Sequence, residues 1–328
     1  MNAIHLTRLY GPARHQFPET TDVLGNQGFR VADIEQADGS NDAFLVGNWA
    51  KPFVDYPNRP MVPYEGFHAV MRSFRANRDL LAGYPTPGPN AHRGKPAILV
   101  GNGPSRLKHD AILKTIDTDA AVCIGVNGAI KAMPRGSYFF CIEGRVVPEW
   151  LGDRPPSDFI AVLPSDMLIG DIRRKWMNAC IYNLKRHLWK EDEFTARWPH
   201  FMVLDSCKHA MMSAFHLAYQ WGCDPIIFAG CDYSFPNPNM VHANSTGVGD
   251  ETTSDRVDLV DINGEPVVTD APYWVFARQM AAATLYVCES GRTVINATEG
   301  GIFTTEHPNF SHRPLHAVLE ELKCLRRE

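Results

Sequence analysis

The feature that most constrains this chain is a series of short, unbroken apolar runs that begins near Lys95. Ala97-Ile-Leu-Val100, Ala121-Val-Cys-Ile-Gly-Val126, Ser137-Tyr-Phe-Phe-Cys-Ile142, Phe159-Ile-Ala-Val-Leu163 and Pro225-Ile-Ile-Phe-Ala229 are all of strand length. None alternates strictly between apolar and polar residues. Uninterrupted runs indicate strands buried on both faces. Helical segments fall between them: about Ser105 to Thr115, Asn127 to Met133 and Ala210 to Trp221. Strands and helices in alternation predict a parallel sheet joined by right-handed crossovers. The fold class expected is therefore α/β, a mostly parallel sheet with flanking helices.

Later segments add detail. Asn263-Gly264 sits between Val257-Asp-Leu-Val260 and Pro266-Val-Val268. That pattern predicts a β-hairpin insertion whose two central turn residues both need φ > 0. A long helix from Tyr273 to Glu289, a strand at Thr293–Asn296 and a C-terminal helix over about Leu315–Arg326 complete the reading. The first part of the chain is less regular, rich in Pro, Gly, Asn and Asp. Phe44-Leu-Val46 reads as a short strand, about Tyr64 to Leu81 as a helix, and Gly83 to Asn90 as a Pro/Gly linker. The expected organisation is an N-terminal region over 1–94, an α/β domain over 95–310 and a C-terminal helix over 311–328.

Composition removes several functions. With 32 Lys+Arg against 37 Asp+Glu among 328 residues, the formal net charge is −5. No basic patch stands out, which argues against a duplex nucleic-acid partner. No apolar stretch approaches the ~18 residues of a membrane span. Met1 to Arg8 lack a signal core, so a cytoplasmic location is expected. The eight cysteines form no C-x-x-C pair and read as reduced, mostly buried thiols.

Candidate chemistry gathers where strands end. Gly101-Asn102-Gly103-Pro104-Ser105 follows the first run. Its glycines allow close backbone approach, and the helix start with Ser105 offers donors to a phosphate or a capping hydroxyl. It is neither a dinucleotide fingerprint nor a Walker loop. Asn127 and Glu143 hold the corresponding places after the second and third runs, where the ligand crevice of an open α/β sheet lies. Asp232 and Tyr233 follow the run at 225–229. Asp232 is a catalytic candidate, to orient substrate or take the acceptor's proton, and, with Glu143, a candidate for Mg²⁺. His242 is a candidate general base. Asp205 and Ser206 precede the helix at 210, and Asn296-Ala-Thr298-Glu299-Gly300-Gly301 follows the last strand. Helix capping, loop closure and ordinary packing remain open as alternatives for each. His209, His216, Met211 and Met212 read as packing or surface residues.

Taken together, the motifs resemble a known family. From about Lys95 to Phe303 the chain is similar to the domain of unknown function 115 family. That domain occurs in archaeal 6-hydroxymethylpterin diphosphokinases and in motility-associated-factor flagellin glycosyltransferases. The resemblance rests on Val-Gly-Asn-Gly-Pro-Ser at 100–105, Gly-Val-Asn at 125–127, Gly-Cys-Asp-Pro-Ile-Ile-Phe-Ala-Gly-Cys-Asp-Tyr at 222–233 and Asn-Ala-Thr-Glu-Gly-Gly at 296–301. The Gly-Asn-Gly-Pro-Ser and Gly-x-Asp-Tyr elements also look like those of bacterial sialyltransferases that use CMP-sialic acid. The resemblance implies a Rossmann-like domain in which 101–105 hold donor phosphates, Asn127 contacts the nucleotide, and Asp232 and Tyr233 lie near the reacting group. Two places depart from the pattern: Ile-Glu-Gly at 142–144, and Cys-Lys-His at 207–209 where relatives usually show Gly and Ser. The functions so implied are transfer of a sugar from a nucleotide donor such as a CMP-sugar, Mg²⁺-dependent pyrophosphoryl transfer from ATP to a pterin-like alcohol, or nucleotide binding without catalysis. The acceptor is unassigned.

Overall fold

The structure is a computed structural model; it describes residues 8–10, 30–32, 42–44, 87–142, 150, 154–164, 179–185, 202–205, 209–236, 242–243 and 256–326. The chain divides into two compact units: Met1–Ala82 with Asp166–Leu168 and Lys185–Pro199, and Gly83–Ser165 with Ile169–Leu184 and His200–Glu328. In the first, β1 (Arg8–Tyr10) pairs in parallel with β2 (Arg30–Ala32) and β3 (Asp42–Phe44). The strand expected at 44–46 falls two residues earlier. The helix expected over 64–81 lies outside the described residues.

The second unit holds the sheet. Its strands are β4 (Ala97–Val100), β5 (Val122–Val126), β6 (Tyr138–Phe140), β7 (Ile160–Pro164), β8 (Ala179–Lys185), β9 (Met202–Asp205), β10 (Ile226–Ala229), β13 (Val294–Asn296) and β14 (Phe310–His312). The spatial order is β14-β13-β10-β4-β5-β6-β7-β8-β9, and every neighbouring pair from β14 to β8 is parallel. The α/β expectation is borne out. β4, β5 and β10 are buried along their whole length, as their unbroken apolar runs require. From β4 the chain winds outward through β5 to β9, then returns and places β10 on β4's other side. The order therefore reverses between β4 and β10, and there the loops leaving two adjacent strands diverge and open a crevice at their carboxyl ends.

Helix α2 (Ala210–Gln220) buries Ala214, Phe215, Leu217 and Ala218 against the sheet, with Phe215 and Phe228 ring centroids 5.1 Å apart. Phe228 also meets Phe303 edge-on at 5.3 Å, and the three rings belong to one hydrophobic core. Helix α3 is Ala271–Glu289, capped by Asp270, whose Oδ1 accepts from the Tyr273 N–H. The C-terminal helix α4 is Leu315–Glu321, shorter than expected, with Leu315 and Leu319 buried. β8, β9 and β14 were not anticipated.

Two local expectations are corrected. The helix expected from 105 to 115 is a 3₁₀ turn, Pro104–Lys108, followed by a single α turn, α1 (Asp110–Leu113). The break falls at His109, a buried ring whose Nε2 lies 3.4 Å from the Thr298 carbonyl. The hairpin forms, β11 (Arg256–Val260) with β12 (Pro266–Asp270). Its loop, however, is not a two-residue turn: Gly264 has φ 83° but Asn263 does not take a positive φ. The Asp261 carboxylate instead accepts from the Asn263 and Glu265 N–H groups and builds a wider turn. Cys123, Cys141, Cys223, Cys231, Cys288 and Cys324 are free and buried. No helix among the described residues is long and apolar enough to cross a membrane.

Because Phe228 has no exposed surface and packs against Phe215 and Phe303, Phe228→Ala should cost about 3–5 kcal/mol. Chemical denaturation checks this; a loss below about 1 kcal/mol would contradict the packing described.

Candidate functional site

The crevice at the β4/β10 reversal is closed at its base by one buried carboxylate. Asp232, three residues past β10, accepts at Oδ2 from the Ser105 hydroxyl (2.8 Å) and at Oδ1 from the Ser105 backbone N–H (3.2 Å). The two residues are 127 apart in the chain. The start of the Pro104–Lys108 turn thus already holds an anion, and that anion belongs to the protein. Gly103 follows from this contact. A Cβ there would overlap Asp232 Oδ2, and one at Gly101 would overlap the Gly230 carbonyl. The glycines of the first loop let the second loop lie against it.

Burial pushes the Asp232 carboxyl up to about 6, against the opposing effect of the Ser105 hydrogen bonds. The next residue, Tyr233, has φ 52°, a left-handed conformation costly for a side chain of that size. It is held there by Thr269 Oγ1, which donates to the Tyr233 carbonyl at 2.7 Å.

Above this base lies a cavity of about 350 Å³, at the lower end of the roughly 300–1,000 Å³ of small-molecule sites. It is lined by Gly101, Asn102 and Gly103 from the first loop and Asn127 from the second. Gly230 to Phe235, the start of α2 (His209, Ala210, Met211), His242, Tyr273 and Phe276 complete the wall with Val126 and Ile142. Asn127 opens the 3₁₀ turn Asn127–Ala132 at φ 51°. Asn tolerates that region better than most residues. Four polar atoms in this wall are buried without a hydrogen-bond partner among the described residues: Asn102 Oδ1, Asn127 Oδ1, Tyr233 OH and His209 Nε2. Buried polar groups are ordinarily satisfied, by protein, water or ligand, so this cluster is where a polar ligand has the most to pair with.

His242 sits exposed at the rim, its Nε2 3.5 Å from the Tyr273 hydroxyl. Desolvation by the neighbouring wall lowers its pKa, against the charge of Asp270, which raises it.

Of the residues singled out from sequence, Gly101, Asn102, Gly103, Asn127, Asp232, Tyr233 and His242 line the cavity. Ser105 is buried beneath it, bonded to Asp232. Thr298, Glu299 and Gly300 do not line it but brace it from behind. Thr298 Oγ1 accepts from the Cys231 N–H at 3.2 Å. Glu299, at φ 59°, caps α4 by accepting from the Leu315 N–H at 2.8 Å. Gly300 faces Asp261, and Ile302 N–H donates to the Asp232 carbonyl. Glu143 and Ser206 lie outside the described residues. His209, read as packing or surface, is in the wall.

Asp232 is the one carboxylate among the described lining residues, and both its oxygens already accept from Ser105. Among the described residues no group of three His, Cys, Asp or Glu could hold a metal ion. Glu143, the other carboxylate expected to hold Mg²⁺ with Asp232, lies outside the described residues.

No family model matches the chain, and no curated protein matches it. A solved structure does: the MAf glycosyltransferase from Magnetospirillum magneticum AMB-1, with a TM-score of 0.55 at 15% identity. The match covers 92% of this chain and 44% of that one, so this chain spans less than half of its neighbour's length. At that identity the likeness is one of fold.

The Asp232 carboxyl gives a pH test. In the fold it keeps its proton to about pH 6, whereas the unfolded chain releases it near ~4. Protons therefore favour folding across that interval, and the contribution fades as pH rises from about 4 to about 6. Asp232→Asn removes it, so its stability relative to the native protein should rise by up to about 3 kcal/mol over the same interval. Thermal melts from pH 4 to 7 check this; parallel curves would contradict it.

Proposed function

We propose that this protein is a glycosyltransferase that takes its sugar from a nucleotide-activated donor, a CMP-linked sugar being the first candidate. The observation that carries the reading is the cavity itself. It lies at the strand-order reversal, where α/β sheets bind nucleotides. Its unpartnered atoms mix acceptors (the two Asn Oδ1) with donors (His209 and Tyr233), which suits the amino and hydroxyl groups of a nucleoside and a sugar. The likeness in fold to a glycosyltransferase supports it.

In this reading the Gly101 and Gly103 N–H groups, which donate to the Ala229 and Gly230 carbonyls, hold the first loop against the second; the opening turn of α2 faces the donor's phosphates with N–H groups, while Asn102 and Asn127 meet the nucleoside. Ser105 and Asp232 hold the first loop in place and do not touch the donor. His242 takes the proton from the acceptor hydroxyl. As the acceptor oxygen bonds to the anomeric carbon, the bond from that carbon to the phosphate oxygen breaks and its electron pair leaves on the nucleotide. General base catalysis of this kind is worth about 10²–10⁴-fold.

A thermal-shift panel of CMP, CDP, UDP, GDP and ATP, with and without Mg²⁺, tests the reading. A ligand at about 100 times its Kd adds about 2.7 kcal/mol of stability. Stabilisation by CMP or another nucleotide leaving group without metal is expected. Stabilisation by ATP only when Mg²⁺ is present would overturn it in favour of pyrophosphoryl transfer. His242→Ala should lower turnover about 10²-fold or more while donor affinity stays within about twofold; undiminished turnover would remove it as the base.

A further inference from the structure

Resting on that reading, we propose that His209 is a positioning residue for the donor: an uncharged Nε2–H donor at the N-terminus of α2 that hydrogen-bonds an anionic oxygen of the bound nucleotide-sugar. That oxygen belongs to the phosphate or, on an acidic sugar, to the carboxylate.

Three observations converge. His209 is the N-cap of α2, in extended conformation (φ −133°, ψ 144°), and its Nδ1 accepts from the Met212 N–H at 3.4 Å. A ring nitrogen that accepts carries no proton, so in the neutral ring the proton is on Nε2. That Nε2 is buried, lines the cavity and has no partner among the described residues. The residue is 8% exposed, its ring 4.6 Å from Phe276 and 5.9 Å from Tyr233, centroid to centroid. Burial lowers its pKa to about 3, so the ring stays neutral in any physiological range.

The surroundings select the kind of partner. A lone N–H donor needs an acceptor oxygen. The first turn of an eleven-residue helix adds partial positive charge beside it, with Ala210 and Met211 also in the cavity wall. No Lys or Arg lines the cavity among the described residues, so helix and imidazole are the positive end available to a buried anion. The other helix start here, at Ser105, already holds Asp232.

The test uses His209→Asn. Asn is a good N-cap and keeps the bond to Met212, but it is too short to present the donor; His209→Ser is the second capping variant if the first melts early. Calorimetric titrations compare nucleosides, nucleoside monophosphates and nucleotide-sugars at pH 5.5 to 8. An affinity loss of about tenfold is expected, absent with nucleosides. If it begins with the monophosphates the oxygen is the phosphate's; if it begins only with an acidic nucleotide-sugar it is the carboxylate's. The ratio of native to variant affinity should not change with pH. Equal binding by both proteins, or an equal loss on nucleosides, would overturn the proposal while leaving the glycosyltransferase reading intact. A loss that deepens below pH 7 would also overturn it, because the ring would then act as an imidazolium. If the native protein binds no nucleotide or nucleotide-sugar at all, the functional reading fails and this proposal with it.

Discussion

The site depends on a buried carboxylate held across a gap. Asp232 and Ser105 join the loop after β10 to the loop after β4, the two strands between which the winding of the sheet reverses. Elsewhere such a reversal leaves loops splayed apart. Here the hydrogen bonds draw them into contact, and Gly101 and Gly103 let the backbones meet. The carboxylate also fills the helix start that would otherwise be the obvious place for a phosphate. An anion from solution must therefore find another helix, and α2 begins in the same cavity.

Strain and support are distributed accordingly. Asn127, Tyr233 and Glu299 all take left-handed backbone conformations. The first two present side chains to the cavity, while Glu299 turns the chain so that it can cap α4. The loop at 296–302 lies behind Cys231 and Asp232, fixed by Asn296, whose Nδ2 donates to the Phe303 carbonyl and whose Oδ1 accepts from the Thr298 N–H. Such a second layer limits how far the first can relax, which is what a preorganised site requires.

Much of this was legible in the amino-acid order. The apolar runs at 97–100, 122–126 and 226–229 are buried strands because no polar residue interrupts them. The residues that end them converge because strands in a parallel sheet end at the same edge. What could not be read was pairwise and distant. Ser105 looked like a phosphate ligand because its partner stands 127 residues away. Thr298 and Glu299 looked like site residues because a polar turn after a strand reads alike whether it lines a cavity or backs one. β14, at Phe310–His312, is three residues long and carries two polar residues, too little pattern to register. His209 was passed over because neither burial nor tautomer is visible before α2 is placed against Tyr233 and Phe276.

The account's central claim is that one donor molecule sits over the carboxyl ends of β4, β5 and β10. A crystal structure of the full chain soaked with a nucleotide-sugar tests it most directly. The account predicts electron density for the ligand in contact with Asn102, Asn127 and the first turn of α2, with the Ser105–Asp232 bond intact beneath it. Density at any other place on the molecule, or a ligand that displaces Asp232 from Ser105, would contradict it.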